Sequence, residues 1–125
     1  MISGMGADLV EIDRMGKIIA RWGDRFVHRV FADEEISYCR KHALPAMHFA
    51  ARFAAKEACL KALGIGLGMG VGLKEIWVSR SDRGVPSLIF ADKARILMEK
   101  QSIKGAHLSL THTRRHAMAM VVLEK

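Results

Sequence analysis

The sequence predicts an α+β domain, an antiparallel sheet packed against one long alanine-rich helix. Three observations lead there. The first dozen residues alternate with the period of a strand, Ile2, Gly4, Gly6, Asp8, Val10 and Ile12 on one face and Met5, Ala7 and Leu9 on the other. Residues 45–63 are rich in alanine with the turn residues of a helix at both ends. Two pairs of short apolar runs are joined by only a few polar residues, the spacing of hairpins and therefore of antiparallel pairing.

Taken in order, residues 2–12 read as a strand. Residues 13–22 follow as a helix with Asp13 as N-cap, and a short helical stretch covers Arg25–Phe31. Asp33 ahead of Glu34, Glu35 and Ile36 marks a second N-cap, opening a helix to about Lys41. The longest helix runs from Pro45, suited to a first turn, to Leu63, with Gly64 at the position just past the end. Glycine then occupies every second position from Gly64 to Gly72. Residues 74–80 and 85–90 pair as a hairpin around Asp82-Arg83-Gly84, residues 91–101 form a helix, and 106–112 pairs with 117–123 across Thr113–His116.

At 125 residues the chain has the length of one domain, and with half of it hydrophobic and 26% charged it can build a core. No apolar run approaches the roughly 20 residues of a membrane span. The first residues lack the basic head and apolar stretch of a signal peptide. Cys39 and Cys59 carry no metal or disulfide pattern. The expectation is a cytoplasmic protein that is not bound to a membrane. Twenty Lys+Arg against thirteen Asp+Glu leave a net charge of +7, which favours an acidic or phosphorylated partner. Nucleic acid fits the charge, but an aromatic content of 6% with no aromatic-rich strand leaves nothing on which bases would stack.

Against that basic background two acids stand out. Asp8 lies in mid-strand among apolar neighbours, where an ionised carboxylate is costly unless a cation or several donors meet it. Gly4 and Gly6 on the same face leave room beside it. The plainer reading is a strand end where Asp8 meets water. Glu57 is the only acid between Glu35 and Glu75 and sits midway along the alanine-rich helix, with Lys61 four residues on, on the same face. Arg52 and Lys56 fall elsewhere on the wheel, across the stripe of Phe49, Phe53 and Leu60. A Glu–Lys surface pair would contribute only a few tenths of a kcal/mol. Two isolated carboxylates in a basic chain also suit magnesium, which takes one or two carboxylates, phosphate oxygens and water.

Weaker signals surround these. The alternating glycines follow a helix and end in no Gly-Lys-Ser/Thr, so they are neither a Walker loop nor a dinucleotide fingerprint; they read either as a loop or as backbone passing close to a ligand. Arg14, Lys17 and Arg21 form a basic stripe on the first helix that Arg25 and Arg29 extend. His107, His112 and His116 are spaced too widely in strand and turn to meet at one zinc ion.

The motifs resemble those of a known family. Gly6-Ala7-Asp8-Leu9-Val10-Glu11-Ile12-Asp13-Arg14-Met15 is similar to the opening motif of bacterial holo-[acyl-carrier-protein] synthases, the short 4′-phosphopantetheinyl transferases. Phe53-Ala54-Ala55-Lys56-Glu57-Ala58-Cys59-Leu60-Lys61 resembles their most diagnostic motif, Phe-x-x-Lys-Glu-Ala-x-x-Lys, and Ser109-Leu110-Thr111-His112-Thr113 a looser third. Ala7 departs from the β-branched residue usual before the aspartate. The resemblance covers essentially the whole chain. It implies a transferase that moves the phosphopantetheine arm of coenzyme A to a serine of apo-acyl carrier protein, for fatty acid synthesis, and releases 3′,5′-ADP. It implies magnesium on Asp8 and Glu57 and Lys61 on the pyrophosphate. Arg52, Gly64, Gly66, Ser109, Thr111 and His112 would hold the nucleotide, His112 near its 3′-phosphate. Arg14, Lys17, Arg21 and Arg25 would dock the acidic carrier. A homotrimer with active sites at subunit boundaries is expected with it. Glu57, directly or through metal-bound water, is the expected base, with Asp8 as the alternative. The competing reading of the same charges is a non-catalytic basic module that binds nucleic acid or an acidic protein.

Overall fold

The computed structural model describes residues 1–66 and 69–125. Leu67 and Gly68, inside the alternating glycines, lie outside the described residues. The order of elements is β1 (Ile2–Glu11), α1 (Ile12–Trp22), α2 (Asp24–Val30), α3 (Asp33–Arg40), α4 (Pro45–Leu63), β2 (Ile76–Arg80), β3 (Pro86–Phe90), α5 (Asp92–Lys100), β4 (Gly105–His112) and β5 (His116–Glu124), with a 3₁₀ turn at Leu73–Glu75. The α+β class holds, with one refinement. The strands form two antiparallel units, a three-stranded sheet ordered β1-β5-β4 and the separate β2–β3 hairpin.

The centre of the molecule is α4. Its 19 residues span about 28 Å at 1.5 Å per residue, and its buried residues, from Phe49 to Leu63, point in every direction around the axis. Neighbours therefore enclose most of its circumference, leaving Glu57 partly open and Lys61 exposed. On one side it packs with Ile76, Val78, Ala94, Ala119, Val121 and Leu123. On the other, Phe49, Ala50 and Ala51 meet Met15, Val27, Phe31, Cys39 and Ala117. Its ends follow the sequence: Pro45 occupies the first helical position and Gly64 closes the helix in the left-handed region at φ 77°.

Alanine on α4 and glycine on β1 let two backbones approach closely. A Cβ on Gly6 would lie 1.9 Å from the Ala58 carbonyl oxygen, and one on Gly4 would lie 2.0 Å from that of Ala62. No side chain fits there, so the strand lies directly on the helix. The room that Gly4 and Gly6 leave is thus filled by α4 itself. Ile2 departs from the expected face: the register shifts between Ile2 and Gly4, and Ile2 is exposed. The opposite face of β1 keeps its parity, and with Met5 and Leu9 of β1 and Met120 of β5 it leaves an apolar sheet surface exposed to solvent.

Two caps differ from expectation. Ile12 belongs to α1, and Glu11, not Asp13, is the residue before the helix. The strand runs straight into the helix because the Ile12 amide donates to the Arg115 carbonyl at 2.9 Å, which occupies a donor a side-chain cap would otherwise serve. At α3 the cap position is Ala32, with Asp33 already helical. The Ala32 amide donates to Glu35 Oε1 at 3.0 Å, so the cap is made from inside the helix.

Candidate functional site

β1 and α4 bring Asp8 and Glu57 into one pocket. Asp8 shares the helix-facing side of the strand with Gly4 and Gly6, four residues before α1 begins. The pocket has a volume of about 300 Å³, and its walls include Asp8, Arg14, Phe26, Phe53 and Glu57. Lys61 reaches the same place from one turn further along α4. Its Nζ donates to Asp8 Oδ1 at 3.1 Å and to the Ala7 carbonyl at 2.9 Å. The plainer sequence reading pairs Lys61 with Glu57 on its own helix; the observed partner is Asp8 on the facing strand.

The two carboxylates are close enough to feel one another. Partial burial pushes the Glu57 carboxyl above the usual carboxylate range, the Asp8 charge adds to that push, and Lys61 opposes it. A pair of acids that repel each other under one ammonium group is an arrangement a divalent cation would stabilise. Among the described residues no group of three or more His, Cys, Asp or Glu side chains is placed to hold a metal ion. Two carboxylates still suit an ion that completes its shell with phosphate oxygens and water, as magnesium does.

Other residues singled out in the sequence lie elsewhere on the chain. His112, at the end of β4, is exposed and borders a separate apolar groove with Lys17, Pro45 and Met47 at the start of α4. Ser109 and Thr111 are exposed on the sheet face turned away from α4. Gly64 and Gly66 flank the C-terminal end of α4, one turn beyond Lys61, and are exposed. Arg14 lines the carboxylate pocket, whereas Arg25 borders a second hollow with Trp22, Phe26 and Arg29. Arg21 packs its guanidinium over Trp22, 5.0 Å from the ring centroid.

Arg52 lies away from the two carboxylates. It is 1% exposed, with its guanidinium 4.1 Å above the Tyr38 ring, and it borders a pocket with Arg80 away from Asp8. Lys56, in the same motif, is also internal. Its Nζ donates to Glu35 Oε1 at 2.6 Å, to the Leu73 carbonyl at 3.0 Å and to the Ile76 carbonyl at 2.5 Å. Burial pulls the Lys56 ammonium down and the Glu35 carboxylate pulls it back up. Neighbours in sequence thus part company: Glu57 faces the pocket and Lys56 faces the core. Sequence reasoning passed over Glu35, whose position ahead of an apolar helix looked like a cap residue alone.

Comparison with known proteins agrees with this geometry. Residues 4–121 match the family model of the 4′-phosphopantetheinyl transferase superfamily. The holo-[acyl-carrier-protein] synthase of Syntrophus aciditrophicus is 50% identical over 124 residues, covering 99% of this chain and 97% of that protein. That of Koribacter versatilis is 44% identical, covering 99% of both. Among solved structures, the Neisseria meningitidis holo-[acyl-carrier-protein] synthase superposes with a TM-score of 0.92 at 31% identity over the whole of both chains. The Helicobacter pylori enzyme in complex with coenzyme A gives 0.85 at 30% identity, covering 96% of this chain and 99% of that one. With two acids meeting between β1 and α4 and relatives that match nearly end to end, this chain belongs to the 4′-phosphopantetheinyl transferase superfamily, in its holo-[acyl-carrier-protein] synthase family.

Proposed function

We propose that the protein transfers the 4′-phosphopantetheine arm of coenzyme A to a serine hydroxyl of apo-acyl carrier protein, releasing 3′,5′-ADP, and that it does so with magnesium held by Asp8 and Glu57. The observation that carries the reading is the convergence of those two carboxylates and Lys61, from elements about 50 residues apart, on one pocket. Full-length relatives of that name, one of them solved with coenzyme A, support it.

Asp8 and Glu57 would hold magnesium, whose charge would favour a leaving group that becomes more negative as the bond breaks. The chain's own residues do the rest. Lys61 leans over Asp8, placed to neutralise the diphosphate and the charge that builds on 3′,5′-ADP. The serine oxygen forms a bond to the phosphorus that carries pantetheine, and the bond from that phosphorus to the bridging oxygen breaks. The serine proton goes to Glu57, whose raised affinity for a proton fits a base, with Asp8 as the alternative acceptor.

Further parts of the reading concern neighbours. The exposed apolar sheet face around Met5, Leu9 and Met120 supports assembly into a homotrimer. In such an assembly His112, which in one chain borders a groove away from Asp8, would serve a nucleotide bound to an adjacent subunit, with Ser109 and Thr111 beside it. Gly64 and Gly66 would let backbone approach the nucleotide from the α4 side. Arg52, in the pocket it lines with Tyr38 and Arg80, would help to hold the nucleotide. The basic side of α1 and α2, with Arg14, Lys17, Arg21 and Arg25, would dock the acidic carrier. The test is direct: with coenzyme A, magnesium and apo-carrier, the carrier gains the mass of one phosphopantetheine arm. A carrier that stays unmodified would refute the assignment.

A further inference from the structure

The chain leaves α4 at Gly64 and returns to it within a short distance. Ile65 is tied by its amide to the Leu60 carbonyl at 3.0 Å, and Leu73 is tied by its carbonyl to Lys56 Nζ. Lys56 and Leu60 are one turn apart on the helix, about 6 Å along its axis. The eight residues 65–72 could reach more than 25 Å if extended. Chain length alone therefore does not fix where Gly72 lies at the returning end, which depends on how that end is clamped.

Glu75 is the clamp at the returning end. It sits in the 3₁₀ turn Leu73–Glu75, which Lys56 holds by donating to the Leu73 and Ile76 carbonyls. One carboxylate oxygen, Oε2, accepts from the Gly72 amide at 2.7 Å. The other, Oε1, accepts from the Lys93 amide at 2.7 Å and the Ala94 amide at 3.3 Å, in the first turn of α5. A single side chain thus joins the end of the glycine-rich segment to a helix end, on a base fixed by the buried Lys56–Glu35 pair. Charge-assisted bonds of this kind are about twice as strong as neutral ones. The contact is tight: a Cβ on Gly72 would lie 3.1 Å from Glu75 Oε2. Capping α5 needs only the Lys93 and Ala94 contacts; the bond to Gly72, with the Glu75 amide donating back to the Gly72 carbonyl at 3.0 Å, caps the 3₁₀ turn and thereby fixes the returning end of the segment.

We propose that Glu75 is a positioning residue for coenzyme A binding, fixing the returning end of the glycine-rich segment before the nucleotide arrives. It rests on the reading that this segment helps to hold the nucleotide. With the clamp in place Gly72 is fixed in advance, and binding does not have to restrain that end.

The experiment compares the unaltered protein with Glu75→Ala, which loses both arms, and Glu75→Gln, which keeps one carbonyl acceptor. The affinity for 3′,5′-ADP is measured by calorimetry, alongside KM for coenzyme A, KM for carrier, kcat and Tm. Glu75→Ala is expected to weaken 3′,5′-ADP about tenfold, the scale of one lost charged hydrogen bond, and to raise KM for coenzyme A by the same factor. Glu75→Gln should fall between. The kcat at saturating coenzyme A and the KM for carrier should stay put. Unchanged 3′,5′-ADP affinity, with Tm lowered or with only kcat reduced, would overturn the proposal and leave Glu75 as a cap of α5. Failure of the unaltered protein itself to bind 3′,5′-ADP would instead remove the functional reading, and this inference with it.

Discussion

Lys61 donates to Asp8 across 53 positions of sequence, at 3.1 Å, and bypasses Glu57 one turn away on its own helix. Asp8 is held on the side of β1 that faces α4, so the ammonium group lies above the strand and not along the helix. The Lys61 side chain is more than half exposed, and such a pair contributes about 0–1 kcal/mol to stability. Its value lies in placing a positive charge beside the acids. Lys61→Met should therefore leave Tm nearly unchanged while lowering kcat on the order of 100-fold, the usual effect of removing one group that stabilises a leaving oxyanion. Thermal melts and steady-state kinetics on the same preparation check both halves; a collapse of Tm would show that the pair is structural.

Glu57 gives a prediction in pH. Burial first, then Asp8, raise its pKa in the folded protein. A carboxyl with a raised folded pKa binds a proton more readily folded than unfolded, so it favours the fold at low pH. That advantage is lost as pH rises through the folded pKa. Above it the ionised group costs stability. Glu57→Gln should accordingly raise stability at pH 7–8, with the gain shrinking toward pH 4, while transfer activity disappears. Urea unfolding at several pH values, without magnesium, checks the sign. Equal stability changes at pH 4 and pH 8 would show that ionisation is not the cause.

Much of this site can be read from the chain because it rests on two short-range rules. Parity along β1 puts Gly4, Gly6 and Asp8 on one face, and the four-residue period of α4 puts Glu57 and Lys61 on another. What joins the faces is tertiary: the contact of Gly6 with the Ala58 backbone carries no local signature. The same limit hides the roles of Arg52 and Lys56. On composition grounds a cation belongs at the surface. Both are buried because α4 is covered on the sides they face, and because Tyr38 and Glu35, from α3, meet them there. Capping signals misplace α1 and α3 by one or two residues because the Arg115 carbonyl and the Glu35 side chain satisfy the free amides in place of an Asp side chain.

Gly6 tests that tertiary contact. A methyl group there would meet the Ala58 carbonyl oxygen at 1.9 Å and its carbon at 2.8 Å, both backbone atoms that no rotamer change can move. Gly6→Ala should force β1 away from α4 and cost about 1–3 kcal/mol, the range for overpacking. Because Asp8 is two residues on, the shift should separate it from Glu57. The expected signature is a higher magnesium concentration for half-maximal activity, measured well below the lowered Tm. A stable variant with unaltered magnesium dependence would show that the close approach does not set the carboxylate spacing.

The basic side of α1 separates into two roles once the pocket is known. Arg14 borders the space between Asp8 and Glu57, so reversing its charge should disturb coenzyme A and carrier together. Arg21 lies two turns on, stacked over the half-exposed Trp22 and away from the acids. Arg21→Glu should therefore raise KM for an acidic carrier about tenfold or more, with a steep dependence on ionic strength, and leave KM for coenzyme A as it was. The salt dependence distinguishes docking from misfolding, since screening weakens only the charged encounter. If Arg21→Glu raised both constants alike, or if salt left the carrier KM unmoved, α1 would not be the surface on which the carrier lands.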